Sequence, residues 1–141
     1  MELRVKLDEG AKLPDRAHPT DAGADLFAPH DVVVPARGSA IVDTGAHVEL
    51  PGDACGLIVS KSGLNVRDNI LSTGLIDAGY TGSIVVKLYN HGDKPVTLAR
   101  GSKISQLVVL PVLYPRIVQA DEIGGGPRGD AGFGSTSEAS E

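Results

Sequence analysis

The chain of 141 residues contains one cysteine, Cys55, and no tryptophan. A single thiol cannot build a disulfide framework and cannot supply a thiolate zinc site. No run approaches the roughly eighteen apolar residues that a spanning helix needs. Met1-Glu2-Leu3-Arg4 has no apolar leader core or cleavage site. The expectation is therefore a cytoplasmic protein with no membrane partner. Positive charge is also scarce: 13 lysines and arginines stand against 18 aspartates and glutamates, a formal net charge of −5. Proteins that grip nucleic acid nonspecifically are usually basic, so no nucleic-acid partner is expected. A single nucleotide stays open as a ligand, because a few local cations or a metal can serve it. The sequence lacks a P-loop, a G-x-G-x-x-G opening a helix, and a G-x-S-x-G elbow. It has no internal repeat, and no window shows capped helical periodicity.

What is present is a chain of strands and turns. Glycine (18) and proline (9) are abundant, which favours many turns and few long helices. Residues 2–8 alternate, with Leu3, Val5 and Leu7 on one face and Glu2, Arg4 and Lys6 on the other, the period of a strand with one wet face. Residues 31–35 are a β-branched run stopped by Pro35. Residues 39–43 and 46–50 flank Thr44-Gly45 and read as two strands or one with a bend. Further strands are expected over 54–60, 83–90, 96–99 and 105–113. The best helix candidate is a turn or two near Leu64–Asp68. Such spacing predicts one all-β domain, a sandwich or barrel, over residues 1–123.

Residues 124–141 differ, with six glycines and Phe133 as their one bulky apolar side chain. Composition alone reads as a disordered tail. The functional alternative is an arm that orders over a ligand, with Phe133 as an aromatic lid and Arg128 as a cation for an anion.

Three glycine-containing turns carry polar groups: Asp21–Leu26, Ser60–Leu64 and Gly74–Gly82. The middle one can form a nest of backbone N–H groups for an anion, with Lys61 and Ser62 as extra donors. Taken singly, each is an ordinary turn. His18, His30, His47 and His91 are scattered and read as surface or structural residues, and Cys55 as a small buried apolar one.

In their order along the chain, these turns resemble the motifs of the trimeric dUTP pyrophosphatase (dUTPase) family. Asp21–Leu26 resembles the first motif, Ser60–Leu64 the second and Gly74–Gly82 the third. Gly101–Leu107 resembles the fourth and Arg128–Thr136 the fifth. The resemblance runs from about Asp21 to Thr136. It implies a jelly-roll-like β-barrel, a homotrimer with active sites at subunit junctions, and magnesium-dependent hydrolysis of dUTP to dUMP and pyrophosphate. In that family the third motif comes from one subunit, the first, second and fourth from a neighbour, and the arm, residues 124–141, from the third.

Residue by residue, the resemblance makes Asp77 the general base that orients water onto the α-phosphorus. A carboxylate suits this role because it accepts a proton and holds the water in line. Without the other motifs Asp77 would be a turn aspartate. Lys61, Ser62 and Gly63 match phosphate-facing positions, Gln106 one that contacts phosphate or the catalytic water, and Arg128, Gly134, Ser135 and Thr136 belong to the closing arm. Asp25 matches a carboxylate that reaches Mg2+ through water, the metal being held mainly by substrate phosphates. Tyr80 would lie under the deoxyribose and leave no room for a 2′-hydroxyl. Residues 70–75, with Ser72, Thr73, Gly74 and Leu75, would form a hairpin whose backbone pairs with uracil, and Phe133 would stack on that base. Three positions depart from the family pattern: Lys61 replaces a common arginine in the second motif, Lys103 a frequent arginine in the fourth, and Ser137 a common final glycine in the fifth.

Two other readings compete. A dCTP deaminase shares this fold, but its reaction needs a glutamate where Lys87 stands, and a lysine cannot serve as that carboxylate. A β-sandwich binding module with a glycine linker gives no reason for Asp77, Tyr80, Arg128 and Phe133 to fall in register.

Overall fold

A computed structural model describes residues 2–127 and 129. In chain order its strands are β1 (Arg4–Leu7), β2 (Ala24–Phe27), β3 (Val32–Val34), β4 (Ser39–Glu49) and β5 (Ala54–Val59). After helix α1 (Ser62–Asp68) come β6 (Ile70–Leu71), β7 (Thr73–Ile76), β8 (Ser83–Asn90), β9 (Val96–Leu98) and β10 (Lys103–Pro111). One four-stranded sheet has the order β1-β4-β8-β6 and the other β2-β10-β5-β7, while β3 and β9 make a two-stranded ribbon. Every pairing is antiparallel. The expected all-β, jelly-roll-like fold is therefore present, as facing sheets around one core.

Period-two patterning places that core. In β4 the side chains of Val42, Thr44, Ala46 and Val48 point inward, and in β8 those of Ile84, Val86 and Leu88 do. The aliphatic ones, Val42, Val48, Ile84, Val86 and Leu88, pack with Leu26, Ile58, Ile104 and Leu107 of the second sheet. Each such fully buried aliphatic side chain contributes about 1.5–3 kcal/mol. Lys87 lies on the outer face of β8.

Residues 39–49 form one strand with a bulge. The pairing with β8 shifts between Asp43 and His47, and Gly45 sits there at φ +66°. A Cβ at Gly45 would also come within 2.8 Å of the Ala11 methyl, so glycine answers both demands. The buried Thr44 hydroxyl donates to the Ile84 carbonyl at 2.7 Å and fastens the bulge.

Three local differences from the sequence expectations have simple causes. β2 is an unexpected strand: all four of its residues are buried, so the sequence Ala-Asp-Leu-Phe shows no alternation. Leu7 is exposed rather than inward, at the end of a β1 shorter than the expected 2–8. Cys55 is half-buried, at an alternate position of β5 between buried Ala54 and Gly56.

Residues 70–75 do not form a hairpin. Ile70 and Leu71 pair with Asn90 and Tyr89 of one sheet, whereas Thr73–Ile76 pair with Val59–Gly56 of the other. The chain changes sheets at Ser72, because inward Ile70 and buried Ser72 must serve two layers in succession. The helix forms where expected but begins at Ser62. Asn69, left-handed at φ 56°, ends it with its N–H on the Asn65 carbonyl.

Candidate active site

Asp25 is the centre of one group of expected residues. Its side chain is 5% exposed, on a strand paired with β10. Lys61, the residue before α1, donates to Oδ1, and Lys103, at the start of β10, reaches Oδ2 at 2.7 Å. The two lysine departures from the family pattern thus meet on one buried carboxylate. A lysine delivers a point charge to one oxygen, so two lysines share the acceptor sites that a bidentate arginine fork would span. Burial alone would raise the Asp25 pKa. The hydrogen bonds from Lys103 and Lys61, and then their charges, outweigh burial and hold it below the ordinary 3.8. The same contact, chiefly the hydrogen bond to Asp25, raises the pKa of Lys103.

Gln106 joins this group. Its side-chain amide donates to the Ser60 carbonyl at 2.9 Å. Gly23 gives it room: a Cβ there would stand 2.8 Å from Gln106 Cδ. Ser62 and Gly63 occupy the exposed first turn of α1, and a Cβ at Gly63 would meet nothing within 4 Å. Their surface is open to a ligand.

Ser72 is placed otherwise than expected. It is 3% exposed, and all its polar groups are engaged internally. Its N–H donates to Ser60 Oγ at 2.8 Å, its carbonyl accepts from that hydroxyl at 3.1 Å, and its own hydroxyl lies 2.8 Å from Ser105 Oγ. Ser105 in turn donates to the Val59 carbonyl at 2.9 Å. Both donors of Ser72 are engaged inside the core, and its side chain is buried away from the surface where a base could bind. The adjoining Thr73 and Leu75 are exposed, and Gly74 is half-buried.

The second group lies in the turn after β7. Asp77 is exposed, and its carbonyl accepts from the Tyr80 N–H at 3.2 Å across a turn with Gly79 at φ +86°. The Tyr80 hydroxyl donates to the Ser83 carbonyl at 3.1 Å. Gly82 lets the ring lie flat, since a Cβ there would be 2.5 Å from Tyr80 Cζ. Asp77, Tyr80, Leu75, Ile76, Ser83 and Val85 line a cavity of about 260 Å³.

The two groups are not brought together within one chain. Thr73 pairs with Val59, and three residues on Ile76 pairs with Gly56. Asp77 therefore leaves one end of β5 while Lys61 leaves the other, roughly 15–20 Å away along the strand. Arg128, Phe133, Gly134, Ser135 and Thr136 lie outside the described residues.

The donor set does not form a metal cage. Among the described residues no three His, Cys, Asp or Glu side chains cluster as ligands. Both Asp25 oxygens already face ammonium groups. These residues fit magnesium only as an ion arriving on the ligand's phosphates, beyond direct contact with the protein.

The motifs singled out in the sequence contain Ser60, Ser105 and Gly23, but no role was read for them. The partners of the serines lie 12 to 46 residues away, and Gly23 makes room for a side chain on another strand.

Sheets and site define an all-β, jelly-roll-like protein with a cation pair on a buried carboxylate and a separate carboxylate–phenol turn. A family model described as dUTPase matches residues 9–137. The deoxyuridine 5'-triphosphate nucleotidohydrolase of Clostridium acetobutylicum is 39% identical over 140 residues, 96% of this chain and 97% of its own. That of Gloeothece citriformis is 40% identical over 145 aligned residues, 100% of both chains. Among solved structures, a Staphylococcus bacteriophage 80alpha dUTPase with dUPNHPP gives a TM-score of 0.85 at 31% identity, over 96% of this chain and 98% of that one. A mutant dUTPase from phage phi11 of S. aureus, described with a structural Mg(II) ion, gives 0.80 at 29% identity, over 86% and 98%. The chain belongs to the dUTPase family.

Proposed function

We propose that this chain hydrolyses dUTP to dUMP and pyrophosphate by attack of water at the α-phosphorus. As a member of the dUTPase family it is an enzyme, a hydrolase of nucleotide metabolism. The reaction keeps uracil out of DNA and supplies dUMP for thymidylate synthesis. The observation that carries the reading is the cavity in which the Asp77 carboxylate and the Tyr80 ring share one wall. Asp77 holds the attacking water and accepts its proton. Tyr80, fixed by Ser83 and Gly82, packs beneath the sugar and excludes a 2′-hydroxyl. The exposed backbone of Thr73, Gly74 and Leu75 reads the uracil edge, and a site built for one edge rejects another because its polar groups would go unpaired. Ser72 supports that backbone from inside.

Lys61, Ser62, Gly63 and Gln106 face the phosphates. Phosphoryl chemistry is mostly positioning and charge stabilisation, so no further covalent group is needed. Magnesium, when bound to the substrate, supplies neutralisation of the triphosphate. The distance between the two groups in one chain supports sites assembled between copies, Asp77 and Tyr80 from one and the phosphate-facing residues from its neighbour, in a homotrimer. Residues 1–123 are the β domain. Residues 124–141 are an arm from the third copy, with Arg128 on the γ-phosphate, Phe133 on uracil, and Gly134, Ser135 and Thr136 beside the phosphates. No helix of the described residues is long and apolar enough to cross a membrane, and the proposed setting is cytoplasmic, with no nucleic-acid partner.

Pyrophosphate release from dUTP, with dCTP, dTTP and UTP in parallel, tests the reading. Release from dUTP alone, abolished by EDTA, is expected. Binding of dUTP without release would leave the fold serving as a nucleotide sensor.

A further inference from the structure

Both ring nitrogens of His47 face oxygen acceptors. Nδ1 lies 2.8 Å from the Thr81 carbonyl oxygen, and Nε2 lies 3.0 Å from Oδ2 of Asp8. A main-chain carbonyl and a carboxylate can only accept. A neutral imidazole has one N–H and one lone pair, so one contact would set lone pair against lone pair. The imidazolium donates to both.

The position makes this bridge consequential. His47 stands opposite Ser83 just past the bulge of β4, with 19% of its side chain exposed. Asp8 is fixed in its turn, its N–H bonded to the Gly45 carbonyl at 2.8 Å. Thr81 follows Tyr80 directly, in the turn that also carries Asp77.

We propose that His47, as an imidazolium, is a positioning residue that clamps the 77–82 turn to Asp8 and so fixes where Asp77 and Tyr80 stand. The inference rests on the reading of Asp77 and Tyr80 given above.

The charges around the ring favour that form. Asp8 follows β1, Lys6 faces His47 from within β1, and Asp43 lies across the bulge. Ser83, the β8 partner, is neutral, and Arg4 and Glu49 pair with each other at 3.0 Å. The hydrogen bond to Asp8, then that to Thr81, raises the His47 pKa above 6.5, while burial and Lys6 oppose them. The imidazolium is therefore fully formed below the unfolded value and is lost as pH rises through the higher folded value.

The test uses the full-length protein labelled with 15N. Imidazole spectra read the protonation of His47, and the amides of residues 77–82 report the turn, both without substrate. A pKa above 6.5 is expected, with the Thr81 and Gly82 amides shifting at the same midpoint. In His47→Gln those amides should lose that titration. A pKa at or below 6.5, or turn amides that ignore His47, overturns the clamp whatever the protein does with dUTP. In parallel, kcat for dUTP should fall with that midpoint by roughly three- to tenfold, the scale of one weakened hydrogen bond. The fall should vanish in His47→Gln and move to lower pH in Asp8→Asn. A fall that persists unchanged in His47→Gln overturns the proposal. Absence of turnover at every pH in the unaltered protein overturns the catalytic reading instead, and the spectra still decide the clamp.

Discussion

The hydroxyls of Ser72 and Ser105 meet at 2.8 Å inside the core, where the segment that changes sheets comes against β10. Removing one hydroxyl leaves the other buried with a lost partner. Ser105→Ala should therefore cost about 1–3 kcal/mol in a urea titration. Because the chain continues through Ser60 to the segment bearing Lys61, the variant should also raise KM for dUTP. Ser72→Ala in the same background should add less than its cost alone, as expected for residues in one network. Fully additive costs would mean that the two hydroxyls act independently.

Asp25 ties three motifs together through charge. Asp25→Asn leaves two ammonium groups without their carboxylate and should lower stability by about 2–4 kcal/mol. Its folded pKa lies below the unfolded 3.8, so its contribution is present above 3.8 and is lost as pH falls through the folded value. Acid unfolding followed by circular dichroism should show a step there that Asp25→Asn lacks. An unchanged acid midpoint would show that the pair of lysines gives no net stabilisation. Lys61→Arg and Lys103→Arg singly should each be poorly tolerated, since the second, larger head would compete for the oxygen already held.

Much of this was legible before any coordinates. Strands over 39–50 and 83–90 were expected where β4 and β8 stand, and Asp77 and Tyr80 were singled out by the resemblance of one glycine-bounded turn to the family's third motif. The bend at Thr44-Gly45 was visible because glycine interrupts a β-branched run. β2 was hidden because burial on both faces erases alternation in a run of only four residues. The change of sheets at Ser72 was hidden for another reason. Which sheet a strand joins depends on partners far along the chain, and Ile-Leu-Ser-Thr-Gly-Leu reads equally well as a hairpin. The meeting of Lys61, Lys103 and Asp25 had only an indirect signal, two lysines at positions where the family often has arginine.

Tyr80 and Gly82 should fail together. Gly82→Ala would place a methyl 2.5 Å from Tyr80 Cζ, so the ring must leave its place on Ser83. Removal of the sugar platform should raise KM for dUTP by about tenfold, in line with about 1.4 kcal/mol of binding. Discrimination against UTP should fall by a similar factor. Retained selectivity in Gly82→Ala would separate the tyrosine from sugar recognition.

Deletion of residues 124–141 removes the proposed arm and no strand of either sheet. The truncated protein should keep its thermal midpoint and its oligomeric state while losing nearly all turnover of dUTP. Turnover at the full-length rate would show that Arg128 and Phe133 have no part in the site.

Asp77 and Gln106 stand at opposite ends of the second sheet, and a site shared between copies makes that separation testable. Asp77→Asn should bind dUTP and not turn it over, and Gln106→Ala should be severely slowed. Neither copy alone can then build a working site. Co-refolded in equal amounts, the two variants should mix at random in the proposed trimer. A junction works when the copy giving the turn carries Asp77 and the neighbour carries Gln106, each with a chance of one half, so about a quarter of full activity should return. Sites contained in one chain would give no recovery, because every chain in the mixture carries one defect. Recovery near a quarter would therefore establish the shared junction and place Asp77 and Gln106 on different copies in a single experiment.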